Sequence, residues 1–318
     1  MNEATNQAAL KSFDTILQEI SDPDQIISAG TLYRLSDLNA DDLKQIQSVW
    51  GAIPVERRRI LIGRLSEITE TNFEMEYGAI TRLALTDLDN EVRQLAIDAA
   101  WNDESPDMAT RLIAMASGDI AAEVRAAAAS ALGRFILLGE LGKFDPGLTR
   151  RAQNIALKLF NDEAEDLEVR RRALEAVSNC TRDGISEMIE DAYQADDPRF
   201  RVSAVFAMGR SCDPKKWAST VLHELVSDDP ALRYEAARAA GELELKQAIN
   251  TLSDIVLEED REVMEMAVWA LGEIGGDEAR NLLEEVMERA DEQGDEALAD
   301  AVEEALEAAS LIGENIKL

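Results

Sequence analysis

Apolar residues recur along this chain at helical spacing, and no segment shows the strict alternation of a half-buried strand. In DPRFRVSAVFAMG (197–209), Phe200, Ala204, Ala207 and Met208 fall on one face of a helix. After a short turn a second stripe follows over 215–226, made of Trp217, Val221, Leu222 and Leu225. The thirteen-residue phrase itself occurs eight times, as DPDQIISAGTLYR (22–34), IPVERRRILIGRL (53–65), DNEVRQLAIDAAW (89–101), AAEVRAAAASALG (121–133), DLEVRRRALEAVS (166–178), DPRFRVSAVFAMG (197–209), DPALRYEAARAAG (229–241) and DREVMEMAVWALG (260–272). Its starts lie 31, 36, 32, 45, 31, 32 and 31 residues apart. A repeat of this length marks a solenoid, whose units bury their apolar faces only against neighbours. The pattern predicts first helices near 5–20, 41–52, 74–85, 106–116, 148–161, 184–195, 215–227, 246–258 and 277–293. Each is followed by a second helix on a phrase, the ninth running from about Asp295 to Leu311. The expected fold is all-α, an α-α superhelix (solenoid) of about nine helix pairs forming one domain over 1–318.

The residues inside the phrase have local reasons. Asp-Pro, as at Asp197-Pro198, starts a helix: the carboxylate takes free amides, and proline sits where no N–H is needed. Alanines at the phrase centre, such as Ala126 to Ala129 or Ala236 and Ala237, let neighbouring helices approach closely, and Gly133, Gly209, Gly241 and Gly272 serve the same closeness. In LGEIGG, Gly275 or Gly276 stops the helix. The pattern D-P-x-x-R-x-x-A-A-x-A-L-G resembles the HEAT repeat, in the shorter form of about thirty residues found in phycobilisome lyase subunits. The phrases from 89 to 272 carry the resemblance; those at 22 and 53 and the pair after 277 are degenerate. It implies the fold and says little about function.

Hydrophobic residues make up 46% of the chain and aromatic ones only 5%, with alanine dominant, which favours helix packing over sheet. The formal net charge of -32 repels phosphate backbones, so nucleic acid is not expected as a partner. From Asp277 onward there are 14 acidic residues against 3 basic ones, which suits a basic protein partner or simply solubility, and a capping helix pair near 277–312. Cys180 and Cys212 have no CxxC spacing and are expected as reduced thiols. The first residues, MNEATNQAALKSF, lack a basic n-region and an apolar h-region, and no run approaches the roughly 20 apolar residues of a membrane span. A cytoplasmic location without membrane contact is therefore expected.

Arg93, Arg125, Arg170, Arg201 and Arg233 take the same place in five phrases, and Met264 replaces them in the next. Such a row could grip carboxylates or phosphates; in HEAT proteins the equivalent arginine resembles a rung that pairs with an acidic residue of a neighbouring repeat, and that reading is preferred. Asp89, Asp166, Asp197, Asp229 and Asp260 recur at the phrase starts. Stacked second helices line the concave face on which solenoids bind partners. The positions exposed there are Asp98, Ser130, Glu175, Phe206, Arg238 and Trp269, then one turn later Asn102, Arg134, Asn179, Arg210, Glu242 and Glu273. Aromatic residues and arginine dominate interfaces, which selects Arg134, Phe206, Arg210, Arg238 and Trp269 as the candidate partner-binding strip. The twist of the stack could alternatively turn Phe206 and Trp269 into the core.

The 45-residue spacing places an insertion of about fourteen residues near 135–149, FILLGELGKFDPGLT, expected as an edge loop that covers the stack or offers an apolar contact. His223 is the only histidine. His223-Glu224 resembles one of the paired HE motifs of deoxyhypusine hydroxylase, but it occurs here once where that family repeats it four-fold, so exposed helix polarity is the simpler account. No GxxxxGK[ST], GxGxxG after a strand, GxSxG, HExxH or DxDxDG is present. DNA glycosylases built from such repeats need a basic groove, which this charge contradicts. The expectation is thus a protein-binding scaffold with no catalytic residue, cofactor or metal. The resemblance leaves an alternative, an accessory subunit related to bilin lyases that assists chromophore attachment or partner maturation.

Overall fold

A computed structural model describes residues 11–72, 74–257 and 260–314. Among them are eighteen α-helices, one 3-10 turn and no strand. The helices fall into nine pairs: α1 Phe13–Ser21 with α2 Ala29–Arg34, α3 Ala40–Trp50 with α4 Val55–Thr71, α5 Gly78–Ala84 with α6 Asn90–Ala99, α7 Pro106–Gly118 with α8 Ala122–Glu140, α9 Pro146–Asn161 with α10 Leu167–Val177, α11 Ile185–Tyr193 with α12 Pro198–Arg210, α13 Pro214–Glu224 with α14 Pro230–Glu242, α15 Ile249–Ile255 with α16 Arg261–Ile274, and α17 Gly276–Gln293 with α18 Glu296–Glu314. Residues 5–10 and 258 of the expected first helices lie outside the described residues. The chain divides into two compact units, Met1–Ala176 and Val177–Leu318. In the first, α4, α6 and α8 pack in succession as a layer of second helices; in the second, α12, α14, α16 and α18 do so. This is the α-α solenoid that the period predicts.

Helix starts follow the capping chemistry. Side-chain oxygens of Asn39, Asp89, Ser105, Asp145, Asp197, Asp213, Asp229 and Asp260 accept amides of the first turn. Proline opens α7, α9, α12, α13 and α14. The first phrase departs from its expectation. Asp22-Pro23 starts no helix: the Asp22 N–H donates to the Gln18 carbonyl and closes α1, and α2 begins only at Ala29 under a Ser28 cap. Glu19 competes for that turn, its carboxylate accepting from the Ser28 N–H at 2.5 Å and from Lys11 at 2.6 Å.

Close approach of second helices accounts for the glycine that ends the later phrases. A Cβ on Gly209 would lie 2.9 Å from the Ala239 Cα, one on Gly241 3.0 Å from the Ala270 Cα, and one on Gly272 2.9 Å from the Ala305 Cα. Each glycine therefore seats an alanine of the next second helix. Gly275, at φ 61°, ends α16 where the sequence places a stop. The residues added near 135–149 are mostly helical rather than an edge loop, because they lengthen α8 to Glu140 and start α9 at Pro146. The turn between folds Phe144 back onto the buried Phe135, with ring centroids 5.0 Å apart, while Leu137 and Leu141 stay exposed.

Candidate partner-binding surface

Arg93 and Arg125 are rungs between repeats, whereas Arg201 lies over the Tyr193 ring of its own pair, 5.6 Å from the centroid. Arg93 on α6 forks onto Asp119 of the next pair at 2.8 and 2.6 Å, and its Nη1 donates to the Asp87 and Leu88 carbonyls. Arg125 on α8 repeats the arrangement, with Glu165 at 3.0 and 2.6 Å and the Asp119 and Ile120 carbonyls. The acid comes from the turn of the following pair, so the phrase-start aspartates serve chiefly as caps. Desolvation would raise the Asp119 carboxyl, but the Arg93 guanidinium outweighs it and holds it below the usual carboxylate range. Two rungs escape the phrase register: Arg59 forks onto Asp89 at 3.0 and 2.8 Å, and Arg261, three residues before Met264, pairs with Asp295 at 2.5 and 3.1 Å.

Of the five strip residues, Arg134 belongs to the first unit and Phe206, Arg210, Arg238 and Trp269 to the second. Arg134 is committed to its own fold: it donates to the carbonyls of Trp101, Ala100 and Asp103 at 2.7, 2.9 and 3.1 Å and so caps the end of α6. In the second unit Arg238 lies 3.8 Å above the Phe206 ring and Arg210 5.7 Å from it. Glu242 joins them, accepting from Arg238 at 2.9 Å and facing Arg210 at 3.3 Å. Burial pushes the Glu242 carboxyl up despite both guanidiniums. Phe206 is half-buried under this stack, whereas Trp269 on α16 is 37% exposed and rests against Gly241.

A second feature lies wholly within the first unit. A groove of about 550 Å³ runs over α6, α8 and α10. It is lined by the apolar Ile97, Ala126, Ala127 and Ala131 and by Asp98, Trp101, Glu123, Glu168 and Arg172. Arg172 is bound at 2.8 Å by both Glu168 and Glu175. Among the described residues no hydrogen bond or ion pair holds the side chain of Asp98 or of Glu123. Both are exposed, yet recession into the groove pushes the Asp98 carboxyl above its ordinary value by desolvation. Trp101 is 40% exposed and is oriented by its indole N–H, which donates to Thr69 at 3.1 Å. Asp98 belongs to the row read from sequence, but Trp101 and Glu123 do not. The available signal was Trp101 itself, a tryptophan at the phrase end where four later copies carry glycine.

His223 is exposed, while Glu224 beside it is buried and accepts the Tyr193 hydroxyl. Desolvation and that carboxylate push the Tyr193 hydroxyl up to about 12. No set of three or more His, Cys, Asp or Glu side chains among the described residues is arranged to hold a metal ion. No disulfide joins Cys180, which is buried, to Cys212, which is exposed. No described helix is long and apolar enough to cross a membrane.

Stacked helix pairs, joined by arginine–carboxylate rungs and, in the second unit, spaced by glycine–alanine contacts, define each unit as an α-solenoid. The family described as HEAT repeats matches residues 218–307. No curated protein matches the chain. Among solved structures it is similar to importin beta, at 16% identity over 93% of this chain and 46% of that one, with a TM-score of 0.45, so it spans about half of importin beta. It is also similar to an engineered protein, at 16% identity over 97% and 92% of the two chains with a TM-score of 0.40, and to human deoxyhypusine hydroxylase, at 18% identity over 85% and 98% with a TM-score of 0.36.

Proposed function

We propose that this protein is a non-catalytic scaffold or adaptor that binds a protein partner, of basic character, on the surface of its second helices. The observation that supports this reading is the ordered array on α12, α14 and α16. Arg238 and Arg210 are held over Phe206 by Glu242, with Trp269 exposed on the next helix. Side chains already fixed by ion pairs and ring contacts lose little freedom when a partner arrives. Tryptophan and arginine are residue types on which binding energy concentrates; Trp269 and Arg210 are exposed here, whereas Arg238, expected from the sequence as exposed, is buried and serves to order the array. The net charge of -32 favours a basic partner over nucleic acid and over a bilayer of anionic lipid. A cytoplasmic setting is in keeping with this.

The test is capture of a partner from native extract, followed by affinity measurement with Phe206→Ala and Trp269→Ala. Affinity should fall by at least roughly tenfold, the scale of an interface anchor. Unchanged affinity with a lowered unfolding midpoint would assign both side chains to packing alone. A coloured complex on adding free bilin would instead favour the accessory role beside bilin lyases that the short repeat implies.

A further inference from the structure

Two of the described helices carry three cations and no acid, α9 and α12. On α12 the charges are answered: Arg199 pairs with Asp197, Arg210 with Glu242, and Arg201 lies over the Tyr193 ring. On α9 they are not. Arg150, Arg151 and Lys158 are exposed, and among the described residues no hydrogen bond, ion pair or ring contact holds their side chains; the same is true of Lys143 in the turn before the helix. With acidic residues outnumbering basic ones by 64 to 32, four cations left unpaired on one element are a local exception. Helical spacing gathers them. The inner face of α9 is taken by the buried Ala152, Gln153, Ala156, Leu159 and Phe160, so Arg150, Arg151 and Lys158 share the outer arc, with a rise of about 12 Å from first to last. Asp145, the nearest acid before them in sequence, is occupied as the cap of α9, accepting the Leu148 N–H at 2.7 Å. Apolar area accompanies the charge. Leu141, two residues before Lys143, is 57% exposed, and an open depression of about 560 Å³ beside Lys158 is lined by the half-buried Leu157 and by Asn154, Asn161 and Asp162.

We propose that α9 and the turn before it form a second docking surface, which receives a short acidic segment of a partner protein, with carboxylates against Arg150, Arg151 and Lys158 and an apolar side chain against Leu157. This goes beyond the scaffold reading, which places a basic partner on α12, α14 and α16, and it lets one chain hold two partners of opposite charge. Guanidinium groups without a partner offer the fork that carboxylates match. Charge and extent decide among occupants. The stripe is short, because Asp162, Glu163 and Asp166 are exposed just past its end. A nucleic acid or an anionic lipid surface, whose charge continues, would run from the stripe onto those acids of a chain at -32. A second copy brings the same -32 as a whole. An extended protein segment of about four residues covers 12 Å and needs to carry its carboxylates no further.

The probe is a short fluorescent peptide of alternating glutamate and serine with one central leucine, followed by anisotropy at fixed salt. Its control carries glutamine for glutamate, which keeps the shape and removes the charge. The paired substitution Arg150→Gln with Arg151→Gln should weaken binding roughly tenfold, or about 1.4 kcal/mol. Neither side chain holds anything in the fold and glutamine suits a helix as well as arginine, so the variant's unfolding midpoint should match the parent's. Lys215→Gln with Lys246→Gln removes the same charge from exposed, unpaired positions of the second unit and should change affinity by less than about twofold, as screened long-range attraction allows. No binding of the glutamate peptide, equal losses in the two variants, or equal binding of the glutamine peptide would overturn the proposal, since each means that the stripe is not a site. Tighter binding of an oligonucleotide or of phosphatidylserine vesicles at the same charge concentration would also overturn it, as would a parent that dimerises in light scattering while the Arg150→Gln, Arg151→Gln variant stays monomeric, because each assigns the stripe to another occupant. Failure here leaves the scaffold reading standing, because that reading is tested on α12 and α16 by Phe206→Ala and Trp269→Ala.

Discussion

Arg93→Met is the sharpest perturbation of what holds the repeats together. The Arg93 and Asp119 side chains are each only 10% exposed, and the guanidinium makes two bonds to the carboxylate and two to the carbonyls of Asp87 and Leu88. Methionine keeps the stem and its packing but strands a carboxylate and two carbonyls at the junction of the third and fourth pairs. Breaking a buried ion pair from one side costs about 3–5 kcal/mol, most of it the penalty of the charge left behind. Arg261→Met makes the comparison, for Arg261 and Asp295 are 41% and 27% exposed, and an ion pair so open to water contributes little. The assay is urea unfolding followed by helical circular dichroism, with Arg93→Met, Asp119→Leu and the double variant closing a thermodynamic cycle. The double variant should recover a large part of the loss, because it removes both charges together. In a solenoid the damage should concentrate at one junction, so amide exchange should accelerate in α6 and α8 ahead of α16 and α18. A cost for Arg93→Met no larger than that for Arg261→Met, or a coupling below about 1 kcal/mol, would refute the rung as a structural device.

Acid should destabilise the first pair through Glu19. Burial works to raise its carboxyl, but the Lys11 ammonium, the Ser28 N–H and the hydroxyls of Ser28 and Thr31 outweigh it and hold the group at about 2, against an ordinary 4.5. The folded state thus binds its proton later than the unfolded state, so the stabilisation is complete above the ordinary value and disappears as pH falls from there toward 2. It amounts to no more than about 3 kcal/mol. The stability gap between the parent and Glu19→Gln should therefore close on acidification, and a constant gap would count against this account. Alanine in place of glycine should have opposite signs at two helical positions, read as unfolding midpoints. At Gly272 a Cβ meets the Ala305 backbone, and overpacking costs about 1–3 kcal/mol. At Gly63, inside α4, a Cβ meets nothing within 4 Å, and the helix should gain about 0.5–1 kcal/mol. Equal signs would show that helix spacing is not set by these contacts.

How much the sequence discloses depends on what each residue is for. Aspartate, proline, alanine and glycine of the phrase act on their own turn or on the neighbouring helix, so a one-dimensional pattern contains their whole effect: the nine pairs and the seating of Ala239, Ala270 and Ala305 on glycine were legible. The arginine rungs were legible in kind but not in partner, because Asp119 and Glu165 lie in turns that the phrase does not include. Arg261 shows the limit, since it serves as a rung from three residues outside the register. Surface positions are harder still. Arg134 and Arg238 read alike as exposed arginines, yet one is consumed by the carbonyls at the end of α6 and the other by a phenyl ring and two glutamates. The groove appears only when Trp101 is set against the glycine that other copies carry at the same place. That single exchange puts a broad ring where Gly209, Gly241 and Gly272 of later repeats seat an alanine. Specificity in such an array therefore arises where a copy stops obeying the repeat, and in the first unit Trp101 is such a departure.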